Sequence, residues 1–547
     1  MSEMEYIGDG TLFAVLEKQN IQSLSEYGSP SFFTLSTDLN LSAVTKSGVC
    51  RHETSSLACY GGKILMHDFL AYGCLIRHAE TTCKLTFHLH LPPYCRMYRY
   101  NGIRYARQAL SAFLLCIPTG TPTPDGFCTM KEKRLFITLI GDGVLGDDGK
   151  EIRLYPGKSA LLFGTDPDML EKCITMLEAP TLYNSKLYQQ AISRYQMHLD
   201  IPTQTMSDTL TSLTSRFGAT LSGHGEYYTF LSDTPLIGQA FLYMGDIKRA
   251  TGTALFLLSH LEMYGYLPLY MSPTDPKVVC EETGMERMLY PAVCHFFLDL
   301  VKQDISVHLV QSLKDAVQHL FTRIGTAMHP GSLGFAGNEF PLRRGLISCN
   351  RLLYANALAT AEYLHLAGRL GRLENNFDEA ILQYRTDFDA SKGQIDSAHR
   401  LARMRLPKSV YGACPACGEF PYVGWLSRCG FGTYLCPSCM EKGIKEYIED
   451  SESEPLAGAF AAASWHLFAA GIKSEDAFRR DVENCLQLVT DSTSFFDLAM
   501  LGAVLSRIDS PHNALIKDQL DERIQSASAP FFAAEAAVYL LANKKPQ

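Results

Sequence analysis

Tryptophan is nearly missing from this chain of 547 residues, which holds only Trp425 and Trp465. Flat ligand faces must therefore be met mostly by its 27 Tyr and 29 Phe. No uncharged apolar run reaches the roughly 18 residues that a membrane-spanning helix needs. Met1–Asn20 carries acidic residues and lacks a signal-peptide core. Positive charge is in deficit, with 49 Lys and Arg against 58 Asp and Glu and a net charge of −9. That balance argues against a general nucleic-acid binder and leaves room only for local basic patches. Low-complexity stretches are absent too, and 46% hydrophobic with 20% charged residues is an ordinary globular composition. The length exceeds one ordinary domain.

Cysteine, by contrast, is plentiful. Of the 17 cysteines, Cys74, Cys83, Cys116, Cys294 and Cys485 stand singly on apolar segments. They read as small buried hydrophobes in a reducing compartment, so a cytoplasmic location is expected.

Residues 1–175 carry the period of strands. From Lys84 to Leu91, Leu85, Phe87, Leu89 and Leu91 alternate with Lys84, Thr86, His88 and His90, the pattern of a half-buried antiparallel strand. Further strands are expected at Ala112–Ile117, Leu135–Ile140, Ile152–Tyr155 and Ser159–Phe163, with turns at Pro118–Gly126 and Gly141–Lys150. Short strands between Gly/Pro/Asp turns predict an N-terminal antiparallel β-sandwich.

Beyond residue 175 the period becomes helical through residue 547. Ile247, Ala250, Ala254, Leu257, Leu258 and Leu261 form one stripe, and Leu353, Ala357, Ala361 and Leu364 another. Later helices are expected at Ala459–Ala470, Phe496–Ile508 and Phe531–Leu541. Short joints such as Met244–Ile247 and His365–Gly371 make neighbouring helices antiparallel hairpins. Longer polar loops near 218–234, 266–284 and 329–348 alternate with these joints. The alternation predicts a ring of hairpins whose long loops gather at one mouth, where ligands bind.

Cys414-Pro-Ala-Cys417 and Cys436-Pro-Ser-Cys439 are two C-x-x-C knuckles with 18 residues between them. Each knuckle sets two thiolates about one turn apart, and two knuckles complete a tetrahedral sulfur site of the softness zinc prefers. A structural zinc ribbon over 408–445, inserted in the helical domain, is therefore predicted. Four thiolates leave no open position for water, so a catalytic zinc is not expected. Cys429 is read as a packed thiol. Basic residues Arg400, Arg403, Arg405 and Lys408 precede the ribbon, and Tyr94–Tyr100 interleaves aromatic with basic side chains. The first reads as a solvated helix face and the second as an exposed strand face. A nucleic-acid role through the ribbon stays a third reading.

Acidic residues on the long loops are the candidates for chemistry. Asp233 stands just before Thr234-Pro235, where it or Thr234 would also serve as a helix N-cap. Glu281, Glu282 and Glu286 precede a helix whose dipole they would favour. Glu339 lies in Gly334-Phe-Ala-Gly-Asn-Glu339, among glycines and Phe335, with Arg343 and Arg344 following. An apolar pocket there would hold its carboxyl protonated, as a general acid requires.

Three segments carry a resemblance. Ser215–Asp233 leading into Thr234–Ala250 is similar to the first hairpin of glucoamylase-like glycoside hydrolases, which pair a β-sandwich with an (α/α)6 barrel of six helical hairpins. Gly265-Tyr-Leu-Pro268 resembles the Gly-x-Ile-Pro that opens their substrate loop. Gly334–Glu339 resembles a Pro-Phe-Ser/Asn-Gly-Asp-Glu-Thr element of one bacterial branch, part of which also carries paired C-x-x-C knuckles late in the barrel. The resemblance implies an α+β multidomain fold and hydrolysis of an oligosaccharide or glycoside by paired carboxylates. It implies Glu339 as the acid and Asp233 as a ligand to a sugar hydroxyl. Tyr228, Asn338, Arg343 and Arg344 would bind substrate. The base would be Glu281, Glu282, Asp497 or Glu535. Inversion would need the two carboxyls about 6.5–9.5 Å apart. Leu231-Ser232 offers no Arg before Asp233, Asn338 replaces an Asp, and Ile347–Arg351 lacks a Glu found in that branch. These departures keep open a noncatalytic sugar-binding or scaffold role on the same fold.

Overall fold

The computed structural model describes residues 4–17, 20–29, 31–37, 46–52, 55–60, 64–92, 95–105, 108–122, 128–178, 202–223, 228–273, 285–329, 332–335, 349–371, 427–429, 433–435, 457–491, 493–508, 510–527 and 531–543. The chain divides into two compact units. The first is Met1–Thr121, Cys128–Arg216 and Ser526–Phe531; the second is Pro122–Phe127, Phe217–Gln525 and Phe532–Gln547.

An antiparallel sheet of 13 strands builds the first unit. It forks at the long strand Glu151–Gly164. Residues Glu151–Leu154 pair with strand Leu85–His90, whereas Gly157–Gly164 pair with strand Cys74–Thr81. One branch runs outward through Phe33–Thr37, Asn20–Glu26, Leu12–Glu17 and Met4–Gly8, the other through Ile64–Ala71, Ser55–Tyr60 and Lys46–His52. Inward side chains of both branches, among them Leu24, Leu35, Phe87, Leu75, Met66 and Phe163, share one core. Phe33 and Phe163 stack within it at 4.6 Å.

The alternation expected around residue 87 is present, with Leu85, Phe87 and Leu89 buried and His90 exposed. Ile152–Tyr155 and Ser159–Phe163, expected as two strands, are one, and the facing strand Cys128–Leu145 runs through part of the expected turn. A bulge between Gly141 and Gly143 absorbs the mismatch. Gly141 has φ 88, and a Cβ there would lie 2.2 Å from the Lys158 carbonyl oxygen, so no other residue fits. The aromatic–basic segment forms strand Arg96–Tyr100, with Arg96 and Arg99 exposed and Arg99 paired to Asp147. This is the exposed strand face.

Helix α1 (Pro167–Glu178) buries Leu170, Cys173 and Ile174 against Ile76, Phe136 and Leu162. Helix α2 (Pro202–Ser212) belongs to the same unit, which extends past residue 175 to Arg216. The reason is hydrogen bonding: Tyr27 Oη donates to the Ser212 carbonyl, and Arg216 N–H donates to Gly10 O at 2.9 Å.

The second unit is helical. Six helices close a ring: α3 (Thr234–Tyr243), α5 (Tyr290–Leu300), α7 (Cys349–Arg369), α8 (Ala457–Ala469), α10 (Phe495–Leu505) and α12 (Ala533–Ala542). Each packs on the next, and α12 packs back on α3. Helices α4 (Ile247–Tyr264), α6 (Val307–Ala327) and α9 (Glu475–Gln487) pack on α3, α5 and α8 in turn. Ile516 and Leu520 of α11 (His512–Ser526) reach Gly502 of α10.

Composition decides which helices line the ring. Every residue of α10 from Phe496 to Leu505 is buried, whereas α9 buries only Phe478, Val482 and Cys485, four and three residues apart on one face. Gly238 lets α3 approach α5 closely, since a Cβ there would lie 2.4 Å from the Phe296 ring. No helix among the described residues is long and apolar enough to cross a membrane.

Candidate functional site

The N-terminal ends of the ring helices lie side by side. Asp497, in the first turn of α10, accepts hydrogen bonds from Gly458 and Ala459 N–H at 3.0 and 3.2 Å, which caps α8. Ala533 N–H, opening α12, donates to Ser222 O at 2.8 Å in the loop that leads to α3. The ring helices are therefore parallel, and every segment that precedes one arrives at the same end.

Three long loops meet there. Thr229–Phe230, before α3, pairs with Tyr270–Met271, before α5. Leu231 N–H donates to Leu269 O at 2.8 Å, and the Tyr228 and Tyr270 rings meet edge-on at 5.1 Å. Met285–Met288 packs against Ser332–Phe335, in the loop before α7.

Asp233 sits at the base of this mouth and is 1% exposed. Its side chain does not cap α3, contrary to the expectation from Thr234-Pro235. Ser222 Oγ donates to Oδ2 at 2.8 Å and Ser232 Oγ to Oδ1 at 2.9 Å instead. Tyr228 is also buried. Two proposed bases turn out to be occupied in capping: Asp497 as above, and Glu535, which accepts from Phe532 N–H at 2.9 Å at the start of α12. Glu281, Glu282, Asn338, Glu339, Arg343 and Arg344 lie outside the described residues, as do Cys414, Cys417, Cys436 and Cys439.

Inside the ring, chiefly toward the end away from these loops but reaching Pro235 and Leu236 in the first turn of α3 and Ala292 in that of α5, is a cavity of about 960 Å³. It is walled by the later turns of α7, α8, α10 and α12, by α3 and α5, and by Lys302, Gln303, Ser506, Arg507 and Asn543 at the joints. Its polar side chains form a linked cluster. Arg369 Nη2 donates to Asp299 Oδ1 and its Nη1 to His295 Nδ1, both at 2.8 Å. His295 Nε2 then carries the proton and donates to Glu362 O at 3.0 Å. His365 and His466 share a hydrogen bond between Nδ1 atoms at 3.1 Å, and Glu362 Oε1 lies 3.9 Å from His466 Nε2. Arg507 covers the Trp465 ring at 3.7 Å, a cation–π contact.

Burial sets the protonation of this cluster. It pushes Glu362 up to about 8, so the carboxyl is neutral at physiological pH. It pushes His365 down to about 4, and His295 and His466 well below the usual imidazole value, with Arg369 adding to each.

The sign of the resulting pH dependence follows from proton binding. Between about pH 4 and 6.5 the unfolded chain binds more protons at these imidazoles, so they make stability rise with pH. Glu362 acts oppositely: from the ordinary carboxylate value of about 4.5 up to about 8 the folded state holds the extra proton, and stability falls as pH rises. Above about pH 7.5 the cavity imidazoles are neutral in both states and the Glu362 trend stands alone. Relative to Glu362→Gln, in which the imidazoles titrate but the carboxyl does not, wild type is expected to lose roughly 2 kcal/mol between pH 6.5 and 8. Urea titrations at several pH values measure it, and an unchanged slope in the variant would contradict the assignment.

None of these cavity residues stands out in a reading that searches loops for acids. The available signal is spacing: Glu362, His365 and Arg369 fall on one face of α7, as His295 and Asp299 do on α5, amid apolar neighbours.

No protein-family model and no curated protein matches the sequence. Among solved structures, the chain is similar to a bacterial glucoamylase complexed with acarbose, at 10% identity and a TM-score of 0.47 over 99% of this chain and 93% of that one. It is also similar to a family GH92 inverting mannosidase from Bacteroides thetaiotaomicron, at 9% identity and a TM-score of 0.38 over 99% of this chain and 83% of that one.

Proposed function

We propose that the helical unit is an (α/α)6 barrel that hydrolyses a glycosidic bond in an oligosaccharide or glycoside at the loop mouth. The observation that carries this reading is the meeting of the loops before α3, α5 and α7 at one end of the ring. These loops hold Asp233, Glu281 and Glu282, and Glu339 respectively. In this reading Glu339 protonates the leaving oxygen, and Glu281 or Glu282 activates water from the opposite face. Asp233 holds a sugar hydroxyl by exchanging the Ser222 donor for it, which keeps its charge hydrogen-bonded throughout. Tyr228, Asn338, Arg343 and Arg344 position the substrate.

The test is a screen of aryl glycosides and oligosaccharides with wild type and Glu339→Gln. Hydrolysis by wild type and its loss in the variant support the proposal. Sugar binding without turnover by either protein would replace it with a binding role.

We further propose structural zinc on Cys414, Cys417, Cys436 and Cys439. The donor set suits zinc, and the residues between the knuckles support a ribbon: Ser427–Cys429 and Thr433–Leu435 form an antiparallel hairpin that ends next to Cys436. The metal would supply cross-linking of the two knuckles and no chemistry. Elemental analysis should find about one zinc per chain, and Cys414→Ser or Cys436→Ser should lose the metal and lower Tm. A metal-free preparation of full stability would contradict this.

A further inference from the structure

The cavity at the short-joint end of the ring differs in character from the loop mouth. Charged side chains in its wall are Asp299, Lys302, Glu362, Arg369 and Arg507. With Glu362 neutral, three cations face one ionised carboxylate, in a chain whose net charge is −9.

Arg507 is the informative member. Among the described residues its guanidinium meets the Trp465 face and has no hydrogen bond or ion pair. It also lines the cavity, from a residue that is exposed as a whole. A guanidinium stacked on an indole is held in orientation yet keeps its edge free for an acceptor.

Three imidazoles in one place suggest a metal first. Ligand atoms of His295, His365 and His466 lie within 4.8 Å of one another. Yet His295 has no nitrogen to give: Nδ1 accepts from Arg369, and Nε2 donates to the Glu362 carbonyl. A divalent cation would also face the Arg369 and Arg507 guanidinium groups. The Arg369 and Arg507 guanidinium groups carry donors only, and such donors call for an acceptor-rich anion.

Size and wall chemistry narrow the class. About 960 Å³ is far more than a bare oxyanion fills, and Gln239, Gln303, Ser506 and Asn543 add polar groups suited to hydroxyls. The Arg507 fork, the N–H groups Arg369 keeps beyond its bonds to Asp299 and His295, and the one imidazole N–H left by the His365–His466 bond offer more donors than a carboxylate's two oxygens accept, whereas a phosphoryl group presents three. From this juxtaposition we infer that the cavity is a second ligand site, which takes a phosphomonoester of sugar size with its phosphoryl group against Arg507, Arg369 and the His365–His466 pair.

Calorimetric titration of the full chain with glucose 6-phosphate, inorganic phosphate, glucuronate and glucose tests this. Saturable binding of glucose 6-phosphate that weakens as salt rises is expected, with phosphate weaker and glucose undetected. Arg507→Gln should cost about tenfold or more in affinity, and Arg507→Lys should fall between, because the charge remains but the fork is lost. Thermal unfolding of each variant separates lost binding from lost folding, and the double variant Arg343→Gln, Arg344→Gln, which removes the proposed cations of the mouth, should bind glucose 6-phosphate like wild type, which assigns the signal to this cavity and not to the mouth. Equal binding of glucose and its phosphate, stronger binding of glucuronate, or Arg507→Gln binding like wild type would overturn the inference. So would the absence of binding by every probe, or zinc binding that His365→Ala abolishes and Arg507→Gln leaves intact.

Discussion

Glu339→Gln is expected to lower kcat/KM for an unactivated glycoside by about 10²–10⁴-fold, the usual contribution of a positioned general acid. The amide keeps the shape and much of the hydrogen bonding of the protonated carboxyl but has no acidic proton to give, so substrate affinity should change little. The leaving group supplies a sharper readout. A dinitrophenyl glycoside departs without protonation, and for it the loss should shrink towards nothing. A residue that only shapes the mouth would slow both substrates alike. Comparison of kcat/KM for an alkyl and a dinitrophenyl glycoside therefore separates the two roles, and equal losses would remove Glu339 from the acid's position.

The largest expected effect on folding lies in the sheet unit. Arg77 is 0% exposed and its partner Asp68 only 4%. The pair is bidentate across neighbouring strands, Nε to Oδ1 at 2.7 Å and Nη2 to Oδ2 at 2.8 Å. The guanidinium also lies 5.5 Å from the Phe87 ring centre. Such a pair adds little over a well-packed apolar pair, because both charges have left water. Removal of one partner is another matter. Asp68→Ala takes the bidentate carboxylate away from a buried guanidinium and should destabilise the unit by about 3–5 kcal/mol. Asp68→Leu combined with Arg77→Met should recover most of that loss, which gives a large coupling energy in a double-mutant cycle. Urea unfolding followed by far-ultraviolet circular dichroism measures each corner. An Asp68→Ala loss below about 1 kcal/mol would mean that water or another acceptor takes the carboxylate's place.

Local periodicity made much of the architecture legible. Leu85, Phe87 and Leu89 alternate because a strand turns successive side chains to opposite faces, and all three are buried. Ala250, Ala254, Leu257 and Leu261 recur at helical spacing and are buried along α4. Turn signals were less dependable. The glycines near 141–149 read as a loop, yet Gly141 and Gly143 keep a strand running through a bulge, since a left-handed glycine bends a ladder without ending it. Asp233 misled in the same way: Asp before Thr-Pro is a good cap, but Ser222, eleven positions earlier in sequence, takes one of its oxygens.

The inner cavity was invisible for a different reason. Asp299, Glu362, His466 and Arg507 come from four separate stretches of chain, and each alone is an unremarkable polar residue in or beside an apolar helix. What joins them is closure of the ring, which α12 completes by packing on α3.

The order of residues by itself determined the strand-then-helix succession, the pairing of helices through short joints and the thiol spacing suited to zinc, because each depends on neighbours a few positions apart. Only the tertiary structure decided that six helices run parallel around one hollow, which carboxylates cap helices, and that guanidinium and imidazole groups share a cavity opposite the loops. Those outcomes depend on distances between residues hundreds of positions apart, which chain folding sets and local pattern does not.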